Sequence, residues 1–339
     1  MSVPNDEKHR APRNRTLVLS ESDKQRLRTK LLPVPFSASI ASCPEGVACG
    51  DSLEWMKFIP NKSVDLLFLD PPYNLNKSFG TNRFSRRTED EYTQWLSARI
   101  KSLVPALKET ATIYICGDWR TSHSIFEAAA EHFVIQNRIT WEREKGRGAK
   151  SNWKNSHEDI WFCTMSEQYH FDVEAVKLRR RVIAPYTNND GTPKDWNRTE
   201  NGNFRDTHPS NIWTDISIPF WSMPENTDHP TQKSEKLLAK LILASTRPDD
   251  LILDPFLGSG TTVVVANKLG RRALGIDVNE EYCLWALRRL ELALTDKAIQ
   301  GYSDGVFWER NTLAQQMQTE ESTAKKKGRQ KQAISETLF

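Results

Sequence analysis

Cysteine is scarce in this chain and never clustered. Cys43, Cys49, Cys116, Cys163 and Cys283 are odd in number and form no C-x-x-C pair, which argues against a zinc site or disulfide framework and for a reducing compartment. No apolar run approaches the roughly 20 residues that span a bilayer, and no signal-peptide pattern opens the chain. A soluble, intracellular protein with no membrane partner and no metal is expected. An excess of one charge is also missing. Lys plus Arg exceeds Asp plus Glu by 47 − 44 = 3, so any nucleic-acid surface must arise from how charge is distributed rather than from its total.

What is present is a periodic middle between polar ends. At 339 residues the chain suits one large α/β domain with a smaller inserted or appended part. Residues 1–45 form a basic arm carrying Arg10, Arg13, Arg15, Lys24, Arg26, Arg28 and Lys30, expected to be mobile and partly helical until Pro33 and Pro35 break it. Residues 297–339 read as a polar tail with the basic run Lys325 to Lys331. Between them strand and helix signals alternate, as a doubly wound, mostly parallel sheet requires. Strands are expected at 64–69, 111–116, 133–135 with 138–141, 157–164, 168–171, 251–253 and 273–276. Helices are expected at 89–108, 122–132, 234–245, 261–269 and 280–294. Residues 172–228 lose the period and read as a loop-rich insert with a task other than completing the sheet, Trp196, Trp213 and Trp221 forming a local core.

Two motifs stand 254 − 70 = 184 residues apart, each just after a short apolar run. Asp70-Pro71-Pro72-Tyr73-Asn74 follows Leu66 to Leu69, and Asp254-Pro255-Phe256-Leu257-Gly258-Ser259-Gly260-Thr261-Thr262 follows Leu251 to Leu253. Both therefore lie at the carboxyl ends of buried strands, where open α/β sheets place ligands. Gly258 and Gly260 allow a ligand close to the backbone at a helix amino terminus. Asp277, 277 − 254 = 23 residues beyond Asp254, can hold two ribose hydroxyls. A carboxylate at Asp254 would repel a pyrophosphate and suits a cationic amine or sulfonium, with Phe256 lining the same pocket. Asp70 and a backbone carbonyl near Pro71 can accept both N–H bonds of an exocyclic amine and pull its lone pair out of the ring. Consecutive prolines stiffen that loop, and Tyr73 can stack on the ring.

Together the motifs resemble those of the β-group amino DNA methyltransferases of restriction–modification type, which modify adenine N6 or cytosine N4. The resemblance spans about Val47 to Leu294 and implies a Rossmann-like methyltransferase fold, S-adenosylmethionine as cofactor and double-stranded DNA as partner. It implies that Asp70, Pro71, Pro72 and Tyr73 are catalytic. Asp51 would contact the cofactor's base, Lys233 its methionine carboxylate, and Asp254, Phe256, Gly258, Ser259, Gly260, Thr261 and Asp277 would complete that site. Asn155-Ser156-His157-Glu158 resembles the block behind the target-base pocket. The order of parts makes 46–171 the catalytic half, 172–228 the target-recognition region and 229–296 the cofactor half, in a cytoplasmic, nucleoid-associated protein. A homodimer and a separately acting restriction endonuclease are further family-level expectations. Two basic runs, Arg143, Lys145, Arg147, Lys150, Lys154 and Lys177, Arg179, Arg180, Arg181, could track phosphates, and Asn188, Asn189, Lys194, Asn197 and Arg198 could read base edges. No cysteine follows a proline, which excludes a cytosine-5 enzyme. Asp70 favours adenine over cytosine N4, and its presence with Tyr73 disfavours a non-catalytic cofactor-dependent DNA-binding protein.

Overall fold

The computed structural model describes residues 11–33, 43–79, 82–143, 150–182, 186–199 and 202–309. Its frame is an eight-stranded sheet made, in spatial order, of β1 (Gly46–Cys49), β13 (Arg272–Asp277), β12 (Leu251–Asp254), β2 (Val64–Leu69), β5 (Leu107–Gly117), β7 (His157–Thr164), β6 (Val134–Glu142) and β11 (Ile212–Trp213). Strands β3 (Lys77–Phe79) and β4 (Asn82–Phe84) pair separately with each other. All neighbours run parallel except where β7 meets β5 and β6. The central strands are apolar on both faces because helices cover both: Leu66, Leu67, Ile252 and Leu253 are wholly buried. The sheet is flanked by α2 (Ser52–Met56), α3 (Glu89–Leu103), α4 (Ser122–Ala130), α5 (Glu235–Ser245), α6 (Thr261–Lys268) and α7 (Glu280–Thr295). The doubly wound α/β expectation holds, and no helix among the described residues is long and apolar enough to cross a membrane.

Several expected elements differ. The helix begun at Glu89 ends at Leu103, because Pro105 turns the next residues into a single 3-10 turn; β5 then starts four residues earlier than expected. The two short strands at 133–141 are one strand, β6, with an irregularity between Ile135 and Asn137. Residues 168–171 form no strand. Their aromatic rings instead pack on Phe162, Tyr169 edge-on and Phe171 tilted. The alternating hydrophobicity there reflects ring packing rather than a ladder.

The insert is more ordered than its composition implied. A second sheet, ordered β14-β15-β8-β10-β9, contains β8 (Leu178–Arg181), β9 (Asn197–Thr199) and β10 (Gly202–Thr207), closed by β14 (Tyr302–Ser303) and β15 (Val306–Trp308). Residues 302–308 thus belong to a sheet, not to a polar tail. β11 pairs with β6, so the insert also extends the main sheet. The three tryptophans do not share one core: Trp213 joins the main core, Trp196 is buried separately, and Trp221 is half exposed. Phe204, Val306 and Trp308 make the small core instead.

The amino-terminal arm is docked within its described part. Ser20 caps α1 (Glu21–Arg28) in a reciprocal box with Asp23, and Leu27 is fully buried. Arg26 and Lys30 pair with Glu291, and Arg28 with Glu280, both on α7. Arg26, Arg28 and Lys30 therefore meet carboxylates of α7. Arg10, Pro35, Lys145, Arg147 and Lys325 to Lys331 lie outside the described residues.

Candidate active site

The two motif loops open side by side because β2 and β12 are neighbours in the sheet. Between them is a cavity of about 270 Å³ lined by Asp51, Asp70, Pro71, Pro72, Tyr73, Lys233, Asp254, Phe256, Gly258, Ser259, Thr261 and Asp277. Twelve of the thirteen expected site residues share it. Gly260 does not. A Cβ there would lie 2.3 Å from Ala286 Cβ on α7, and its φ of +84° is left-handed, so this glycine serves the close packing of α6 on α7 rather than the approach of a ligand.

The loop after β12 is held from below. Gly258, at φ +53°, donates its amide to Asp277 Oδ2 at 2.8 Å, and Asn279 donates to Asp277 Oδ1 at 2.8 Å. A carboxylate oxygen accepts more than one bond, so Asp277 keeps acceptor capacity toward the cavity. Burial raises its pKa. Asp254 is 2% exposed, accepts the Thr262 hydroxyl at 2.6 Å and the Phe256 amide at 3.0 Å, and burial pushes its pKa up to about 7 despite those bonds. Ser259 and Thr261 have internal work as well. Arg289 donates to the Ser259 carbonyl at 2.9 Å and the Thr261 hydroxyl at 3.0 Å, and pairs with Glu235 at 3.0 Å.

On the opposite wall, Trp95 of α3 faces Phe256, ring centroids 6.4 Å apart. Asp51 caps α2 through the Leu53 amide and pairs with Arg99 at 3.1 Å, so it sits at the rim. Trp95 and Arg99 line the cavity too and were missed, because on a helix whose buried stripe is Tyr92, Leu96, Ile100 and Leu103 nothing in sequence distinguishes the residues beside it.

The loop after β2 carries the most concentrated charge. The Tyr92 hydroxyl donates to the Pro72 carbonyl at 3.1 Å, and Asn74 bonds the Arg87 backbone in both directions, fixing the stiff di-proline turn. Lys233 Nζ lies 2.8 Å from Asp70 Oδ1 and 2.7 Å from Oδ2, 3.3 Å from Glu158 Oε2 and 3.2 Å from the Tyr73 hydroxyl. That hydroxyl is also 3.1 Å from Asp70 and 3.2 Å from Glu158; with one proton it donates to one of them at a time. The ammonium expected to meet a cofactor carboxylate is here bound to the protein's own. Glu158 is 2% exposed and paired with Arg143, which takes Arg143 from the expected phosphate-tracking run into the charge cluster behind Asp70 and Lys233. Burial alone would raise the Glu158 pKa, but Lys233 and Arg143 outweigh it and lower it. In the second run Lys177 pairs with Glu174 and Arg179 with Asp206, leaving Arg180 and Arg181 exposed.

A Rossmann-like methyltransferase sheet with an acidic, aromatic-walled cavity at its carboxyl edge is the class these elements define. The sequence profile described as DNA methylase, for N6 and N4 enzymes, matches residues 64–288. The chain is 35% identical over 251 residues to the DNA adenine methyltransferase YhdJ of Escherichia coli (strain K12), covering 72% of this chain and 82% of that one. It is 30% identical over 246 residues to the type II methyltransferase M.HpaI of Haemophilus parainfluenzae, covering 72% and 73%. Its fold is similar to that of the PvuII DNA methyltransferase (cytosine-N4-specific), with a TM-score of 0.55 at 20% identity over 73% of this chain and 87% of that one. The chain belongs to the N6/N4 DNA methylase family.

Proposed function

We propose that this protein transfers a methyl group from S-adenosylmethionine to the N6 amino group of adenine in double-stranded DNA. The observation that carries the reading is the shared cavity: a di-proline acceptor loop and a glycine turn backed by Asp277 open onto the same space. The residues suit the cofactor. Asp277 can accept ribose hydroxyls, Phe256 and Trp95 offer flat apolar walls to a base, and Asp254 favours a nearby cation. When bound, the cofactor supplies an electrophilic methyl group. The protein's part is to position the amine: Asp70 and the Pro71 carbonyl take its two N–H bonds, and Tyr73 fixes the plane of the ring. A base in a duplex reaches the cavity only by leaving the stack, at a few kcal/mol.

Adenine is supported by the Asp-Pro-Pro-Tyr sequence and by the described specificity of the E. coli relative. Cytosine N4 is the second reading, favoured by the described specificity of the PvuII enzyme with the same fold; both amines need the same pair of acceptors. The proposal assigns 46–171 and 229–296 to catalysis and cofactor, and 172–228 to target recognition. It extends, at family level, to a homodimer and a separately acting endonuclease. The test is methyl transfer from labelled cofactor to unmethylated mixed-sequence DNA, with mass spectrometry of the nucleosides. N6-methyladenine supports the main reading, N4-methylcytosine moves the base, and no labelled nucleoside with cofactor bound sinks both.

A further inference from the structure

Asp70 is spoken for. Both of its carboxylate oxygens face the Lys233 ammonium, at 2.8 and 2.7 Å, so an amine approaching Asp70 meets a cation already in place. Lys233 is 6% exposed at its side chain, and sending an unpaired ammonium elsewhere in a buried site costs several kcal/mol. Among the described residues one other anion is within reach: Glu158 Oε2, 3.3 Å from the same nitrogen. Arg143 holds Glu158 from its far side. The cluster thus contains two carboxylates and two cations, and the ammonium can change partner without any charge leaving it.

We propose that Glu158 is a positioning residue that draws the Lys233 ammonium off Asp70 as the target amine arrives, freeing Asp70 to accept it. The proposal rests on Asp70 being the amine's acceptor. No covalent bond is made or broken and no proton moves; one ion pair lengthens while another shortens.

The groups around the ammonium set the readout. It is faced by Asp70 and Tyr73 from the loop after β2, Glu158 from β7 and Cys116 from β5, with Arg143 behind Glu158 and Asp254 of β12 beyond Asp70. Burial pulls the Lys233 pKa down, but Asp70 and then Glu158 outweigh it and hold it above the usual lysine range. Without Glu158 one of those two supports is gone, and the proton leaves at lower pH.

The test is Glu158→Gln, assayed for cofactor binding and single-turnover methylation. Cofactor Kd should stay within about threefold while kcat at neutral pH falls about 100-fold or more, since the lost interaction acts only once the base is seated. Activity should then recover by about tenfold at alkaline pH, as Lys233 loses its proton at a lower pH than in the unaltered enzyme and releases Asp70. A mere prop for the pocket would lose activity equally at every pH. Lys233→Met removes the obstruction and should be about tenfold more active at neutral pH than Glu158→Gln, and adding Glu158→Gln to it should cost nothing further. That last comparison stands even if the single Gln variant does not fold. Full activity in Glu158→Gln, a pH-independent loss, an inactive Lys233→Met, or additive losses in the double variant would each overturn the proposal. Loss of Asp70 as acceptor would show separately, as an Asp70→Ala variant that still methylates.

Discussion

The two sheets of this molecule are built on opposite terms. In the large one, strands such as β12 and the interior of β2 are buried on both faces, and their order places two loops over one cavity. In the small one, strands such as β8 and β10 are mostly charged or polar and partly exposed; they are held by the Arg179–Asp206 pair, a three-residue core of their own, and Leu178 and Phe307 anchored in the main core. A twice-buried strand tolerates few residue types, whereas a half-exposed one tolerates many. The large sheet is therefore suited to fixed chemistry, and the small one, within the region proposed for target recognition, to a surface whose residues can vary.

Four changes would sharpen or break that contrast. Asp70→Ala should have the largest effect, lowering methyl transfer by about 10³-fold or more while cofactor affinity by calorimetry stays nearly intact; equal loss of both would mean the acceptor loop is misplaced. Gly260→Ala should lower the stability of the whole large sheet by about 2–5 kcal/mol, from overpacking against Ala286 and a left-handed backbone, read as a fall in Tm. An unchanged Tm would show that α6 and α7 have more slack than their geometry implies. Trp308→Ala, which empties the small core, should act locally: faster amide exchange in β8 and β10 and DNA binding weakened about tenfold, with cofactor affinity unchanged. Global unfolding would deny the two sheets their independence. The smallest effect concerns Asp254. Its carboxyl, pushed up to about 7, is neutral below that pH and anionic above it, so affinity for a cationic cofactor should rise with pH. Between about pH 6 and about pH 8 the Kd should fall by up to tenfold, and Asp254→Asn should flatten the slope.

The sequence made the large sheet easy to read and the small one hard, for the same reason. Apolar runs ending in Asp70 and Asp254 mark buried strands and the loops that leave them, and most of the expected cavity residues followed from those two positions, Asp51 and Lys233 coming from the family resemblance instead. Glu158 was read only as part of the block behind the target-base pocket, and its pairing with Arg143 was not legible, because adjacent strands β6 and β7 bring the two together and a charge in sequence carries no sign of its partner. Gly260 was read for the wrong neighbour: a G-x-G turn looks the same whether a ligand or a helix occupies the space above it. Tyr302 to Trp308 were read as tail because a strand of two or three residues has no period to detect, and its partner β8 lies far earlier in the chain.

That separation has a consequence for how the molecule is made. β8 lies between β10 and β15, and Leu178 pairs with Phe307, 307 − 178 = 129 residues away. Bringing those ends together from an open chain costs on the order of 4 kcal/mol in loop entropy. During synthesis every strand of the large sheet has emerged before Tyr302 does. A nascent chain that folds as it emerges can therefore hold a complete cavity while β8 still has an open edge.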